Sequence, residues 1–207
     1  MVVLDKLQEK IKERRQGIGQ AYHDVCAEPK TFHASEIGNA CKKKIYLDRV
    51  SKRPPSMTDY QATVFEVGHM FHEYVQNMFS DAQLEAPMEL EFVNFKIIGK
   101  ADIVLSNKVI ELKTCTRLPD QPYPSHQTQV ECYLRGLRKS IGLVVYIQKK
   151  DFKIREFLVE KSTKRWNEIK KTCEHIVDCL DNRKSPTSNF NQWTCKWCSH
   201  RYVCGKS

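Results

Sequence analysis

Gly99-Lys100-Ala101-Asp102-Ile103-Val104-Leu105-Ser106-Asn107-Lys108-Val109-Ile110-Glu111-Leu112-Lys113 reads as a β-hairpin. Aliphatic and β-branched residues alternate with polar ones on both arms, and Ser106-Asn107 supplies turn-prone side chains between them. With those two residues as the loop, the cross-strand partners run Leu105 with Lys108, Val104 with Val109, Ile103 with Ile110 and Asp102 with Glu111. The two acids then face each other, an arrangement that repels unless a cation lies close by. Period-two alternation puts Glu111 and Lys113 on the face of Asp102. Lys113 therefore offsets part of the repulsion, and a divalent ion bridging the acids would turn it into a site. An ordinary exposed hairpin with surface charges is the competing reading.

The flanking segments supply what an α/β core needs. Leu90–Phe95 and Lys96–Leu105 read as strands leading into the hairpin, and the proline-rich stretch from Leu118 to Pro124 as a loop. Ser125–Leu137 reads as a helix in which Gln129 and Tyr133, four residues apart, reach the same point in front of the sheet. A solvated Gln beside a packed Tyr is the plainer alternative. Upstream, Thr58–Asp81 reads as a helix with Val64, Val67, Phe71, Tyr74, Val75 and Met78 in one apolar stripe. Gly68 inside it costs helix stability and suggests close approach of another backbone, with His72 one turn on as a candidate metal ligand. His69 points about 60° away from His72 and is the weaker candidate. Ile141–Gln148 and Phe152–Val159 read as a second hairpin, and Ser162–Leu180 as a structural helix opened by a Ser-Thr cap.

The termini carry a different chemistry. Leu4, Leu7, Ile11 and Ile18 within residues 1–25 suggest an amphipathic cap helix. Ser35 to Cys41 leads into Lys42, Lys43 and Lys44, a helix start with basic residues beside a thiol, before Arg53-Pro54-Pro55-Ser56 breaks the chain. Residues 182–191 read as a linker. Beyond it, Cys195, Cys198 and Cys204 have the spacing of metal or cluster ligands. Three thiolates need a fourth ligand: His200 would complete a zinc site, Cys41 an all-thiolate iron-sulfur site. A bond set from Cys41 to the tail would close a loop of roughly 150 residues and so restrict the unfolded chain.

With 207 residues the chain is long enough for one domain with a real core. Thirty-four Lys and Arg against twenty-five Asp and Glu give a net charge of +9, which favours a polyanionic partner such as nucleic acid. Lys42, Lys43, Lys44, Arg117, Lys149 and Lys150 are the candidates for tracking the phosphates of a single strand. No apolar run spans a bilayer and the first residues lack a secretory signal, so an intracellular, cytoplasmic protein without membrane association is expected. Nine cysteines, an odd number, suit metal ligation better than a disulfide scaffold. Cys26, Cys115, Cys132, Cys173 and Cys179 read as buried, inert thiols.

Cys41, Gly68-x-x-x-His72, Gly99-x-x-Asp102, Glu111-x-Lys113, Gln129-x-x-x-Tyr133 and the terminal cysteine triplet form an ordered set spanning about Ser35 to Cys204. In this the chain resembles the RecB-type nucleases with an iron-sulfur clasp, in particular the fourth CRISPR-associated protein family and its stand-alone viral and archaeal relatives. The resemblance implies an α/β restriction-endonuclease-like, PD-(D/E)xK core: a central mixed sheet flanked by helices, with a clasp joining the N-terminal and C-terminal segments. The expected division is residues 1–57 as an N-terminal helical segment with the first cluster ligand, 58–181 as the nuclease core and 182–207 as the cysteine clasp. His72, Asp102 and Glu111 would hold Mn2+ or Mg2+, and Lys113 would steer the attacking water. Gln129 and Tyr133 would support the substrate, and Cys41, Cys195, Cys198 and Cys204 would bind a 4Fe-4S cluster. The implied activity is cleavage of single-stranded DNA, as a 5′ to 3′ exonuclease with endonuclease activity alongside. The implied setting is the cytoplasm, or the host cytoplasm for a viral protein, as a homo-oligomer or within a DNA-processing complex. The alternative from another class is a non-catalytic DNA-end-binding adaptor in a spacer-acquisition or recombination complex. Ala101 departs from the arginine or similar residue common before the Asp.

Overall fold

The computed structural model describes residue 13 and residues 28–38, 41–51, 59–188, 195–196 and 198–204. Leu4, Leu7, Ile11 and Ile18 of the expected cap helix, Cys26 and the Pro54-Pro55 break lie outside them. The described strands are β1 (Thr31–His33), β2 (Gln83–Glu91), β3 (Lys96–Leu105), β4 (Lys108–Cys115), β5 (Ile141–Gln148) and β6 (Ile154–Val159). The helices are α1 (Ala34–Gly38), α2 (Lys42–Val50), α3 (Asp59–Gln76), α4 (Pro124–Gly136) and α5 (Thr163–Asp181).

All six strands join one mixed sheet whose hub is β3. Antiparallel β2 runs along one edge of β3, and the other edge is shared by parallel β1 at Lys96–Ile98 and antiparallel β4 at Ile103–Leu105. Parallel β4 and β5 cannot be joined by a tight turn, and α4 supplies the crossover. β6 closes the sheet antiparallel to β5. The larger core lies on the α1, α4 and α5 side, with Phe32, Ile97, Val109, Val130, Leu134, Val144 and Ile176 all buried. Each such side chain contributes roughly 1.5–3 kcal/mol relative to exposure. A smaller core of Ile103, Ile110, Leu112 and Ile147 lies under Phe71 and Val75 of α3.

Three expectations change. β2 begins at Gln83, well before Leu90, with Ala86 and Met88 buried between exposed neighbours. Pro87 would argue against a central strand but is tolerated on this edge. β1 lies in a segment expected to be helical, and three residues are too few to show a period. The apolar stripe of α3 is only partly used: Phe71 and Val75 pack inward, while Val64, Tyr74 and, beyond the helix end, Met78 are exposed. α3 rests mainly on β3 and β4, a surface narrower than the stripe, and reaches Phe152 through Phe71 and Tyr74.

The helix ends follow local chemistry. Pro124 starts α4, and the Ser162 side chain caps α5 by accepting from Arg165 N–H, as the Ser-Thr signal suggests. Fully buried Glu131 on α4 accepts from Arg135, Arg165 and the Ser162 N–H, which ties α4 to the start of α5. Gly38 is where backbones meet: a Cβ there would lie 2.3 Å from the Ser125 carbonyl oxygen. Among the described residues no helix is long and apolar enough to cross a membrane.

Candidate active site

The hairpin has the expected register at Leu105–Lys108, Val104–Val109 and Ile103–Ile110, and there the pairing stops. Asp102 and Glu111 are not a ladder pair. Ala101 belongs to the α4-side core, Ile103 to the α3-side core and Val104 to the α4 side again, so the alternation breaks at Asp102. Across the other edge the β2 pairing also skips this point, where Glu85 adopts a φ of 49°. A local break of this kind re-aims a side chain. Here it lets Asp102 Oδ2 accept from the Leu112 N–H at 2.7 Å, while Oδ1 lies 3.5 Å from His72 Nδ1 on α3. The like-charge repulsion expected of a facing pair is thus eased by backbone geometry as well as by Lys113.

Gln76, at the end of α3, holds the break. Its Nε2 donates to the Asp102 carbonyl at 3.0 Å and to Glu85 Oε1 at 2.7 Å, and it is buried. No sequence signal distinguishes it from a solvated helical glutamine.

Glu111 is buried to 2 % exposure. Its Oε1 accepts from Lys113 Nζ at 2.5 Å, and its buried Oε2 has no hydrogen-bond partner among the described residues. Burial pushes its carboxyl up to about 7; Lys113 pulls the other way and Asp102 adds to the rise. Burial alone would lower Lys113, but the Glu111 charge outweighs it and holds the ammonium above the usual lysine range. The site is a buried acid pair, one acid carrying an unanswered lone pair, with one cation beside it and an imidazole at its mouth.

Gln129 and Tyr133 meet as their spacing suggests: Gln129 Nε2 donates to Tyr133 Oη at 2.8 Å, and both are buried. Burial, then the Glu111 charge, holds the phenol well above its ordinary range, so it stays a neutral donor. His126, one turn earlier on α4, adds a group that sequence reasoning missed. Its Nδ1 lies 2.7 Å from Tyr146 Oη, which also accepts from the Tyr123 N–H. Burial and the Lys113 charge push His126 down to about 4, so it is neutral at ordinary pH. The parallel pairing of Lys113 with Tyr146 brings these groups together.

The cysteines form a second region. Cys41 occupies the N-cap position of α2 without a side-chain capping bond, and Cys195, Cys198 and Cys204 are half-buried free thiols in the tail. The tail lies against α2: Lys43 Nζ donates to the Cys204 carbonyl at 3.3 Å, and buried His200 places Nε2 2.7 Å from Asp48 Oδ1. Burial raises the Cys198 thiol, and Asp48 and Cys41 add to the rise. Among the described residues no three His, Cys, Asp or Glu side chains converge at metal-ligand spacing, in either region. Of the thiols expected to be inert, Cys132, Cys173 and Cys179 are buried, whereas Cys115 is only half-buried.

A model of the PD-(D/E)XK nuclease superfamily matches residues 2–205. The chain belongs to this superfamily. Its fold is shared with solved structures of low identity. The crystal structure of SSO0001 is 22% identical, with a TM-score of 0.71 over 99% of this chain and 96% of that one. An alkaline exonuclease, LHK-Exo from Laribacter hongkongensis, is 14% identical, with a TM-score of 0.54 over 77% of this chain and 92% of that one. A phage-related exonuclease from Haemophilus somnus is 10% identical, with a TM-score of 0.51 over 69% and 81%. No curated protein sequence matches significantly. As a PD-(D/E)XK protein the chain is a nuclease with DNA as its substrate class, and such nucleases use divalent metals such as Mg2+ or Mn2+.

Proposed function

We propose that this PD-(D/E)XK nuclease hydrolyses phosphodiester bonds of single-stranded DNA with Mn2+ or Mg2+, digesting 5′ to 3′ and also cutting internally. The observation that carries the reading is Glu111: a carboxylate buried beside a second acid, with one oxygen on Lys113 and the other unpartnered. A buried lone pair left unanswered costs stability, and in a hard-oxygen environment a divalent ion answers it. The chemistry of these donors suits such an ion: His72, Asp102 and Glu111, which do not converge at metal-ligand spacing without it, would hold it, with the imidazole tilting the preference toward Mn2+. When bound, the ion would neutralise the phosphate and favour hydroxide at neutral pH.

The chain's own groups do the rest. Lys113, fixed by Glu111, presents its charge where negative charge develops on the phosphate. Tyr133, accepting from Gln129, keeps its own proton free to donate toward the acid side. Leu112 N–H and Gln76 hold Asp102 in position from both ends of its residue.

Cys41, Cys195, Cys198 and Cys204 are proposed as ligands of a 4Fe-4S cluster clasping the tail to α2. The reading is supported by four free thiols of suitable chemistry, by Cys41 and Cys198 lying close enough to affect each other, and by His200 being engaged with Asp48. The division at residues 57 and 181 belongs to the same proposal, with β1 carried into the core from the N-terminal segment. So do a cytoplasmic setting and assembly as a homo-oligomer or within a DNA-processing complex.

The test is cleavage of end-labelled single strands, free or blocked at either end, in Mn2+. Wild type should cut, and Asp102→Asn and Lys113→Ala should not. Equal cleavage by all three removes the assignment, and binding without cleavage by wild type favours the adaptor reading. Iron and sulfide analysis of anaerobically purified protein tests the cluster, and a colourless, zinc-loaded protein would refute it.

A further inference from the structure

We infer that the cavity beside His72, lined along α3 by Tyr60, Val64, Phe65, Gly68 and His69, is a stacking subsite for the unpaired nucleobase adjoining the scissile phosphate. The inference rests on the nuclease reading above and adds a physical source of single-strand preference. The cavity encloses about 550 Å³ and is closed at one end by His72 and by Lys113 and Thr114 of β4. That volume is in the range of small-ligand sites. Because it opens onto two groups of the candidate active site, a permanent occupant would obstruct the approach of a phosphate. A substrate group would not.

Its walls suit a base. Phe65 and His69 meet edge-to-face with ring centroids 4.7 Å apart, and the His69 ring lies 6.5 Å from that of His72. Spacings of four and then three residues on one helix thus make a row of rings leading from the cavity to the acids. Phe65 is 46% exposed and Tyr60 66% exposed, large aromatic surfaces that a stacked base would cover.

Gly68 is part of the lining. A glycine within a helix costs about 1 kcal/mol relative to alanine, so its presence asks for a reason. Close backbone approach is not that reason: a Cβ at Gly68 would find Thr114 Oγ1 at 3.7 Å, an ordinary contact. A longer side chain would instead occupy the cavity. A base in a duplex is already paired and stacked, and would have to be extruded to enter.

The experiment uses the whole protein and single strands carrying either a normal base or an abasic residue beside one mapped cleavage position. Wild type should cleave beside the base about 5- to 150-fold more efficiently in kcat/KM than beside the abasic residue. Phe65→Ala should cut both strands at the wild-type rate for the abasic one. Gly68→Leu should show the same loss while melting no lower than wild type, because it removes a helical glycine. Discrimination that survives in Phe65→Ala, or full kcat/KM in Gly68→Leu, overturns the subsite even though cleavage itself stands. If wild type cuts nothing, the nuclease reading fails and the subsite is judged by binding alone, using a 2-aminopurine strand without divalent metal. Base fluorescence quenched by wild type but not by Phe65→Ala supports the subsite. Fluorescence unaffected by the protein, as when another segment or a second copy of the chain fills the cavity, overturns it.

Discussion

The acid cluster and the cysteine region hold their chemistry in opposite ways. Asp102, Glu111 and Lys113 project from β3 and β4, whose backbones are registered against β2 and β5, and Gln76 and the Leu112 N–H pin the one irregular point. Cys195, Cys198 and Cys204 belong to a short tail that touches α2 through the Lys43 and His200 contacts. A backbone ladder keeps unfavourable neighbours together without help, whereas side chains on a short tail depend on whatever they bind. Substitutions in the first region should therefore remove chemistry and spare the fold, and those in the second should do the reverse.

The largest effect that would sharpen this contrast is at the acids. Asp102→Asn keeps an oxygen for the Leu112 N–H, so the protein should melt near wild type while cleavage falls by about 10³-fold or more. Lys113→Ala should lower kcat by about 10²- to 10³-fold. A fold lost together with the activity would break the comparison. In the tail, Cys198→Ser should lower stability by about 2–5 kcal/mol in denaturant titration, while kcat per folded molecule stays within a few-fold of wild type. An unchanged midpoint would show that the tail does not depend on a bound group.

Two glycines test the frame at smaller scale. Gly38→Ala drives a Cβ into the Ser125 carbonyl and should destabilise by about 1–3 kcal/mol. Gly68→Ala has room and should stabilise by up to about 1 kcal/mol. Thermal melts of the pair decide whether close backbone contact lies at α1 or α3. A last effect concerns pH in metal-free protein. Because the Glu111 carboxyl is raised from its ordinary 4.5 to about 7, its contribution to stability is present below about 4.5. It fades as pH rises through 7. Melting temperature should fall across that window in chelator, and Glu111→Gln should flatten the slope.

Much of this could be read along the chain because it rests on near neighbours. Strand alternation placed the hairpin and its first three pairs, four-residue spacing joined Gln129 to Tyr133, and the Ser162 cap opened α5 as expected. The spacing of Cys195, Cys198 and Cys204 singled out a thiol-rich tail. What could not be read there involves residues distant in sequence. Strict alternation put Asp102 opposite Glu111, but α3 and the β2 edge meet at that point and turn its carboxylate aside. Gln76 and His126 look like ordinary helical residues until folding sets them against the Asp102 carbonyl and Tyr146. The linear chain determined which elements form and which reactive side chains each carries, because backbone preference and periodicity act over a few residues. The tertiary structure alone decided which of those side chains share a desolvated space, because burial and charge interactions depend on separation in space and not on separation along the chain.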